Sequence, residues 1–143
     1  MGKIIIDGKD LILGRLASRV AKMLISGDEV IVLNVEKIIV SGKKERVIKG
    51  YRLLFEVRTL RNPEKHGIRR PRNSVSIFKR TVRGMLPKNK SRKEMLSRLK
   101  VYVGIPDEFK NSNPVSLPEA SKARLKSKYV MLEEISRELG GRV

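Results

Sequence analysis

Residues 4–33, IIIDGKDLILGRLASRVAKMLISGDEVIVL, decide the fold. Ile4-Ile5-Ile6 is a short β-branched run closed by the turn signal Asp7-Gly8. The pattern then changes period. Leu13, Leu16, Ala17, Val20 and Leu24 fall on one face at helical spacing, with Arg15, Arg19 and Lys22 opposite. Ser26-Gly27-Asp28 stops that helix. Val30-Ile31-Val32-Leu33 follows as an unbroken apolar run, the mark of a strand covered on both faces. Strand, amphipathic helix and buried strand make a βαβ unit, so the two strands are expected to run parallel with a right-handed crossover.

Beyond residue 34 the reading predicts a short helical turn, then an extended segment ending at Ser41-Gly42. Val47, Ile48, Tyr51, Leu54 and Phe55 predict a helix over 43–57, weakened by Gly50. Residues 58–73 have no period, and Pro63, Gly67 and Pro71 interrupt a run of arginines. Such a segment buries too little apolar surface to order itself. Val75, Phe78, Val82 and Met85 predict a helix over 75–86, ended by Pro87. Ser91-Arg92-Lys93-Glu94 reads as a capping box opening another helix. Val101-Tyr102-Val103 reads as a strand, and 106–118, with three prolines, as a surface loop. Met131, Leu132, Ile135 and Leu139 predict a C-terminal helix stopped by Gly140-Gly141. The expected architecture is a single α/β domain over 1–143: three layers, α/β/α, around a small sheet of about four parallel or mixed strands, with a basic loop extension.

Charge is distributed unevenly. Residues 43–100 carry 20 Lys and Arg against 4 Asp and Glu, a net of +16 out of the +18 of the whole chain. The other 85 residues carry 13 basic and 11 acidic residues. A field this local calls for a polyanion. A solvated helix face normally interleaves acids at i+4, and between 58 and 93 Glu64 is nearly alone. The candidate RNA-binding residues are therefore Lys43, Lys44, Arg46 and Lys49 on the first basic helix, and Arg58, Arg61, Lys65, Arg69, Arg70 and Arg72 in the insert. Lys79, Arg80 and Arg83 follow on the next helix, then Lys88, Lys90, Arg92 and Lys93 behind it. For Arg15, Arg19 and Lys22 a solvated face and RNA contact stand as equal alternatives. Arginine suits phosphate forks, and with aromatics at 4% a base-stacking platform has too few rings. Recognition of the backbone and shape of a folded RNA fits better than single-strand readout.

Other classes find little support. No Walker-type or dinucleotide glycine spacing is present, and Gly8 and Gly14 read as turn and helix-start residues. His66 is the sole histidine and has no orienting carboxylate beside it in sequence. Asp7 and Asp10 suit turn and cap roles. No cysteine is present, so disulfides and thiolate metal sites are excluded. No catalysis, cofactor or metal is expected. With no signal-like or membrane-length apolar run, the chain reads as soluble and intracellular.

One run goes beyond composition: Arg80-Thr81-Val82-Arg83-Gly84-Met85-Leu86-Pro87, followed by Arg98-Leu99-Lys100-Val101-Tyr102-Val103-Gly104-Ile105-Pro106. With Leu13-Gly14-Arg15-Leu16-Ala17-Ser18 and Val30-Ile31-Val32-Leu33-Asn34, it resembles the large-subunit ribosomal protein L-thirteen family, in family order across residues 4–106. The Arg-rich insert and the Gly-Ile-Pro ending resemble its archaeal and eukaryotic branch. The resemblance implies a three-layer α/β/α domain and a structural role in the cytoplasmic ribosome. It implies early binding to large-subunit rRNA during assembly, with neighbouring large-subunit proteins as further partners. By the motif, Arg80, Arg83, Gly84 and Lys88 lie at the RNA surface, while Met85 and Leu86 pack inward. An RNA-processing factor with a basic substrate track is the alternative, and it needs an acid–base constellation that this sequence lacks.

Overall fold

The structure is a computed structural model that describes residues 2–142. Strand β1 (Lys3–Asp7), helix α1 (Leu13–Ser26) and strand β2 (Glu29–Leu33) form the expected unit, with β1 and β2 parallel and Ile4 opposite Val30. After a 3-10 turn at Val35–Lys37 come β3 (Ile39–Ser41), α2 (Lys44–Glu56), α3 (Pro63–His66) and α4 (Ser74–Met85). Then follow α5 (Arg92–Ser97), β4 (Leu99–Val101), β5 (Tyr129–Met131) and α6 (Leu132–Glu138).

The α/β class and the small parallel sheet are as expected, but the strands divide. β1, β2 and β4 form an all-parallel sheet in that order, and β3 pairs with β5 as a separate antiparallel ribbon. An isolated parallel bridge joins Ile39 of the ribbon to Ile12, in the segment between β1 and α1. Alternation along the parallel strands sends Ile6, Val30, Val32, Leu99 and Val101 to one face, against Leu16, Val20 and Leu24 of α1 and Phe78 and Val82 of α4. The opposite face carries Ile31 and Leu33, covered by Phe109 from a 3-10 turn rather than by an α-helix, with Ile5 and Tyr102 at the margin.

Other differences have local causes. β4 lies two residues before the predicted Val101–Val103, because Leu99 and Val101 point inward while Lys100, between them, points out to Glu29 at 2.5 Å. The capping box does not form. Ser91 already has helical dihedrals and its Oγ donates to Asn89 Oδ1 at 2.8 Å, because residues 87–91 form a turn leading into α5. On α2 only Ile48 of the predicted stripe is buried and Leu54 is exposed, since the helix lies at the rim against α6 and β5. β5 and α3 were not foreseen.

Candidate nucleic-acid interface

Helix α4 organises the basic region. Its buried face, Ile77, Phe78 and Val82, anchors it against α1. Sequence spacing then dictates what points out: Ser76, Lys79, Arg80 and Arg83 recur at i, i+3, i+4 and i+7 along one side. The last stretch of the insert lies along that side. Arg80 Nη1 donates to the Arg69 carbonyl at 3.2 Å, fixing the chain there. Arg69, Arg70, Pro71, Ser76, Lys79, Arg80, Arg83 and Leu96 enclose a groove of about 410 Å³. No acidic side chain lines it. Arg70 Nε is shielded from solvent and donates to no acceptor among the described residues. Five cationic groups from two segments thus converge, and one buried donor is left without a partner.

The remaining candidates divide by environment. Lys43 is exposed just before α2, and Arg46 and Lys49 are exposed on it, whereas Lys44 is drawn into an ion pair with Glu134 of α6 at 3.1 Å. Arg58, Arg61 and Lys65 project from the exposed part of the insert. That part holds α3, which Gly67 closes: a side chain there would meet the Pro63 carbonyl at 2.2 Å. Arg72 is engaged internally. Its guanidinium lies 4.8 Å from the centre of the Phe55 ring, and Nη1 reaches the Leu139 carbonyl at 3.4 Å. Lys88, Lys90 and Lys93 are exposed around the start of α5, and Arg92 is half-buried. His66 is exposed on α3.

The motif residues separate likewise. Gly84 is exposed on α4, and a Cβ there would meet nothing within 4 Å. Leu86 is buried, as expected, but Met85, the last residue of α4, is 42% exposed although it follows Val82 at i+3. Ser76 and Leu96 were missed as groove residues. Helical spacing from Lys79 and Arg80 could have found Ser76, whereas Leu96 arrives from α5 by tertiary packing. Two arginines inside the basic stretch serve the scaffold: Arg52 pairs with Glu138 at 2.9 Å, and Arg98 donates to carbonyls at the end of α1.

Fold and groove define a small α/β protein with a guanidinium-lined surface, a chemistry suited to a polyanion. The family model for ribosomal protein L13 matches residues 2–108. The large ribosomal subunit protein uL13 of Sulfolobus acidocaldarius is 51% identical over 138 residues, covering 96% of this chain and 93% of its own. The uL13 proteins of Aeropyrum pernix and Methanococcoides burtonii are 46% and 45% identical, each across 96% of this chain and over 90% and 98% of theirs. The chain belongs to the ribosomal protein L13 family, structural constituents of the large ribosomal subunit rather than enzymes. Similarity to these relatives continues through the C-terminal region, well past residue 106 where the motif resemblance ends.

Proposed function

We propose that this protein, acting as one domain over residues 1–143, binds folded large-subunit rRNA through its basic surface and supports early assembly of the subunit in the cytoplasm. The carrying observation is the α4 groove, where Arg69, Arg70, Lys79, Arg80 and Arg83 converge without an acid. Guanidinium forks in such a groove match phosphate oxygens in bidentate fashion. Neutral side chains nearby contribute little sequence readout, so RNA shape and backbone dominate recognition. The exposed cations of α2, the insert and the 88–93 segment extend the same surface. Neighbouring large-subunit proteins are its other partners.

Sedimentation of cell lysate tests the reading. The chain is expected to co-migrate with large subunits and to be released only at high salt. Arg80→Gln with Arg83→Gln is expected to shift it toward the top of the gradient while its fold stays intact. Recovery of the wild-type chain solely in the free or DNA-bound fraction overturns the proposal.

A further inference from the structure

Helix α6 ends in a glycine turn. Gly140 takes a left-handed φ of 75°, and the N–H groups of Gly140 and Gly141 donate to the Arg137 and Ser136 carbonyls at 3.1 and 2.9 Å. The turn sets Gly141 directly on the backbone of the insert's exit. A Cβ on Gly141 would lie 2.6 Å from the Arg72 carbonyl carbon and 2.9 Å from Ser136 Oγ, so only glycine allows the approach. The Leu139 carbonyl accepts from Arg72 Nη1 at 3.4 Å, and the Phe55 ring of α2 lies 4.8 Å from the same guanidinium. Three elements thus meet on one residue of the insert.

Three residues upstream, Arg80 Nη1 holds the Arg69 carbonyl at 3.2 Å. Residues 69–72 are therefore pinned at both ends. The chain between the pins spans at most about 10–11 Å, and Pro71 fixes one of its φ angles. The two pins respond differently to a polyanion. Arg80 lines the α4 groove, so a phosphate that draws its guanidinium away loosens the pin at Arg69. Arg72 is not part of that lining, and the pin there survives.

We propose that the turn at 139–142 is a positioning clamp for the α4 groove. By holding Arg72 it keeps Arg69 and Arg70 over α4 when Arg80 turns to phosphate. The inference rests on the α4 reading and adds the element that keeps the groove assembled. Gly141 touches no RNA here and acts through Arg72. A segment already held in its bound conformation loses less freedom on association, and affinity rises accordingly. Arg72→Gln removes side-chain contacts but keeps the backbone one, so Gly141 is the position that tests the clamp.

Two readouts on full-length Gly141→Ala decide it. Limited trypsin digestion without RNA reads the clamp itself: cuts after Arg69 and Arg72 should quicken several-fold, with those at Arg58 and Arg61 unchanged. Binding to large-subunit rRNA across a salt series reads the consequence. The slope of log affinity against log salt should fall by about 2, as for Arg69→Gln with Arg70→Gln. Added to that double variant, Gly141→Ala should change the slope no further. Gly8→Ala, whose Cβ would meet the Leu33 carbonyl at 2.9 Å, strains the fold between β1 and α1 and should move neither readout. Unchanged cleavage at Arg69 and Arg72 overturns the proposal. So does quickened cleavage with an unaltered slope while the Arg69/Arg70 variant still loses its share, which leaves the α4 reading standing. A wild-type slope in the Arg69/Arg70 variant defeats the α4 reading, and the clamp falls with it. Equal effects of Gly141→Ala and Gly8→Ala reduce Gly141 to a general stability role and overturn the proposal as well.

Discussion

Arg98 donates from Nη2 to the Leu24 carbonyl at 2.9 Å, and from Nη1 to the Gly27 carbonyl at 3.4 Å, closing the C-terminal end of α1 across 74 residues of chain. Helix ends leave carbonyls unpaired and carry partial negative charge, so a guanidinium there satisfies both needs. One of the most basic segments of the chain thus contributes a purely internal arginine. Arg98→Ala is expected to cost about 1.5–3 kcal/mol, the range for hydrogen bonds to a charged group. Denaturant unfolding checks the cost. RNA affinity measured on the folded fraction should not change, and a large drop there would mean that Arg98 meets RNA.

Gly84 yields effects of opposite sign. A Cβ at this position meets nothing within 4 Å, so the fold itself has no use for glycine there. A glycine inside a helix costs roughly 0.5–1 kcal/mol relative to alanine. Gly84→Ala should therefore stabilise the protein by about that amount while weakening RNA binding, because the α4 backbone can no longer approach a phosphate as closely. Thermal unfolding and filter binding on the same preparation read both effects. Gly50→Ala, also in open space but on α2, should stabilise without the same loss of affinity.

Much of this was legible in the sequence, and what was not has physical causes. The βαβ start was readable because Leu13, Leu16, Val20 and Leu24 repeat at helical spacing between two apolar runs. β4 was misplaced by two residues because Lys100 interrupts an apolar run only on the exposed face, where it meets Glu29. β5 was hidden because three residues, Tyr129 to Met131, are too few to display a period of two. Counting charge located the exposed cations of the basic stretch. Counting does not reveal which of them are consumed internally, since Lys44, Arg52 and Arg72 meet partners on α6 or at its end, more than 65 residues away.

That distinction separates neighbouring arginines of the insert. Arg69 and Arg70 line the α4 groove, while Arg72 stacks on Phe55 and bonds the Leu139 carbonyl. Arg69→Gln with Arg70→Gln should reduce the slope of log affinity against log salt by about 2, as expected for two lost phosphate contacts. Arg72→Gln should leave that slope nearly unchanged and lower stability by about 0.5–1 kcal/mol, the range of an exposed cation–π contact. Equal slope changes for the two variants would put Arg72 on the RNA as well.

The insert offers a mapping experiment. Residues 57–69 are exposed almost throughout, and Arg80 holds their far end by its bond to the Arg69 carbonyl. Limited trypsin digestion of the free protein should cut first at Arg58, Arg61 and Lys65, and slowly after Arg72. Added rRNA should suppress the early cuts, and persistence of those cuts in saturating RNA would remove the exposed insert from the interface.

Alkaline pH probes the packing of α2. Burial raises the Tyr51 hydroxyl above its ordinary value of 10.0, since the phenolate loses solvation there. A group whose folded pKa is raised contributes stability that is fully present below its unfolded pKa and is lost as pH rises through the folded one. Tyr51 should therefore begin to destabilise the protein above about pH 10, where the unfolded chain ionises first. Lys100 and Lys122 are raised as well, by their bonds to Glu29 and to the Tyr129 hydroxyl, and act in the same direction. Tyr51→Phe keeps the ring and removes the titration, so the difference between wild type and variant isolates one group. Denaturant midpoints measured from pH 8 to 11 should fall less steeply for the variant. Parallel curves would show that Tyr51 is solvated in the folded protein and that α2 packs more loosely against α6.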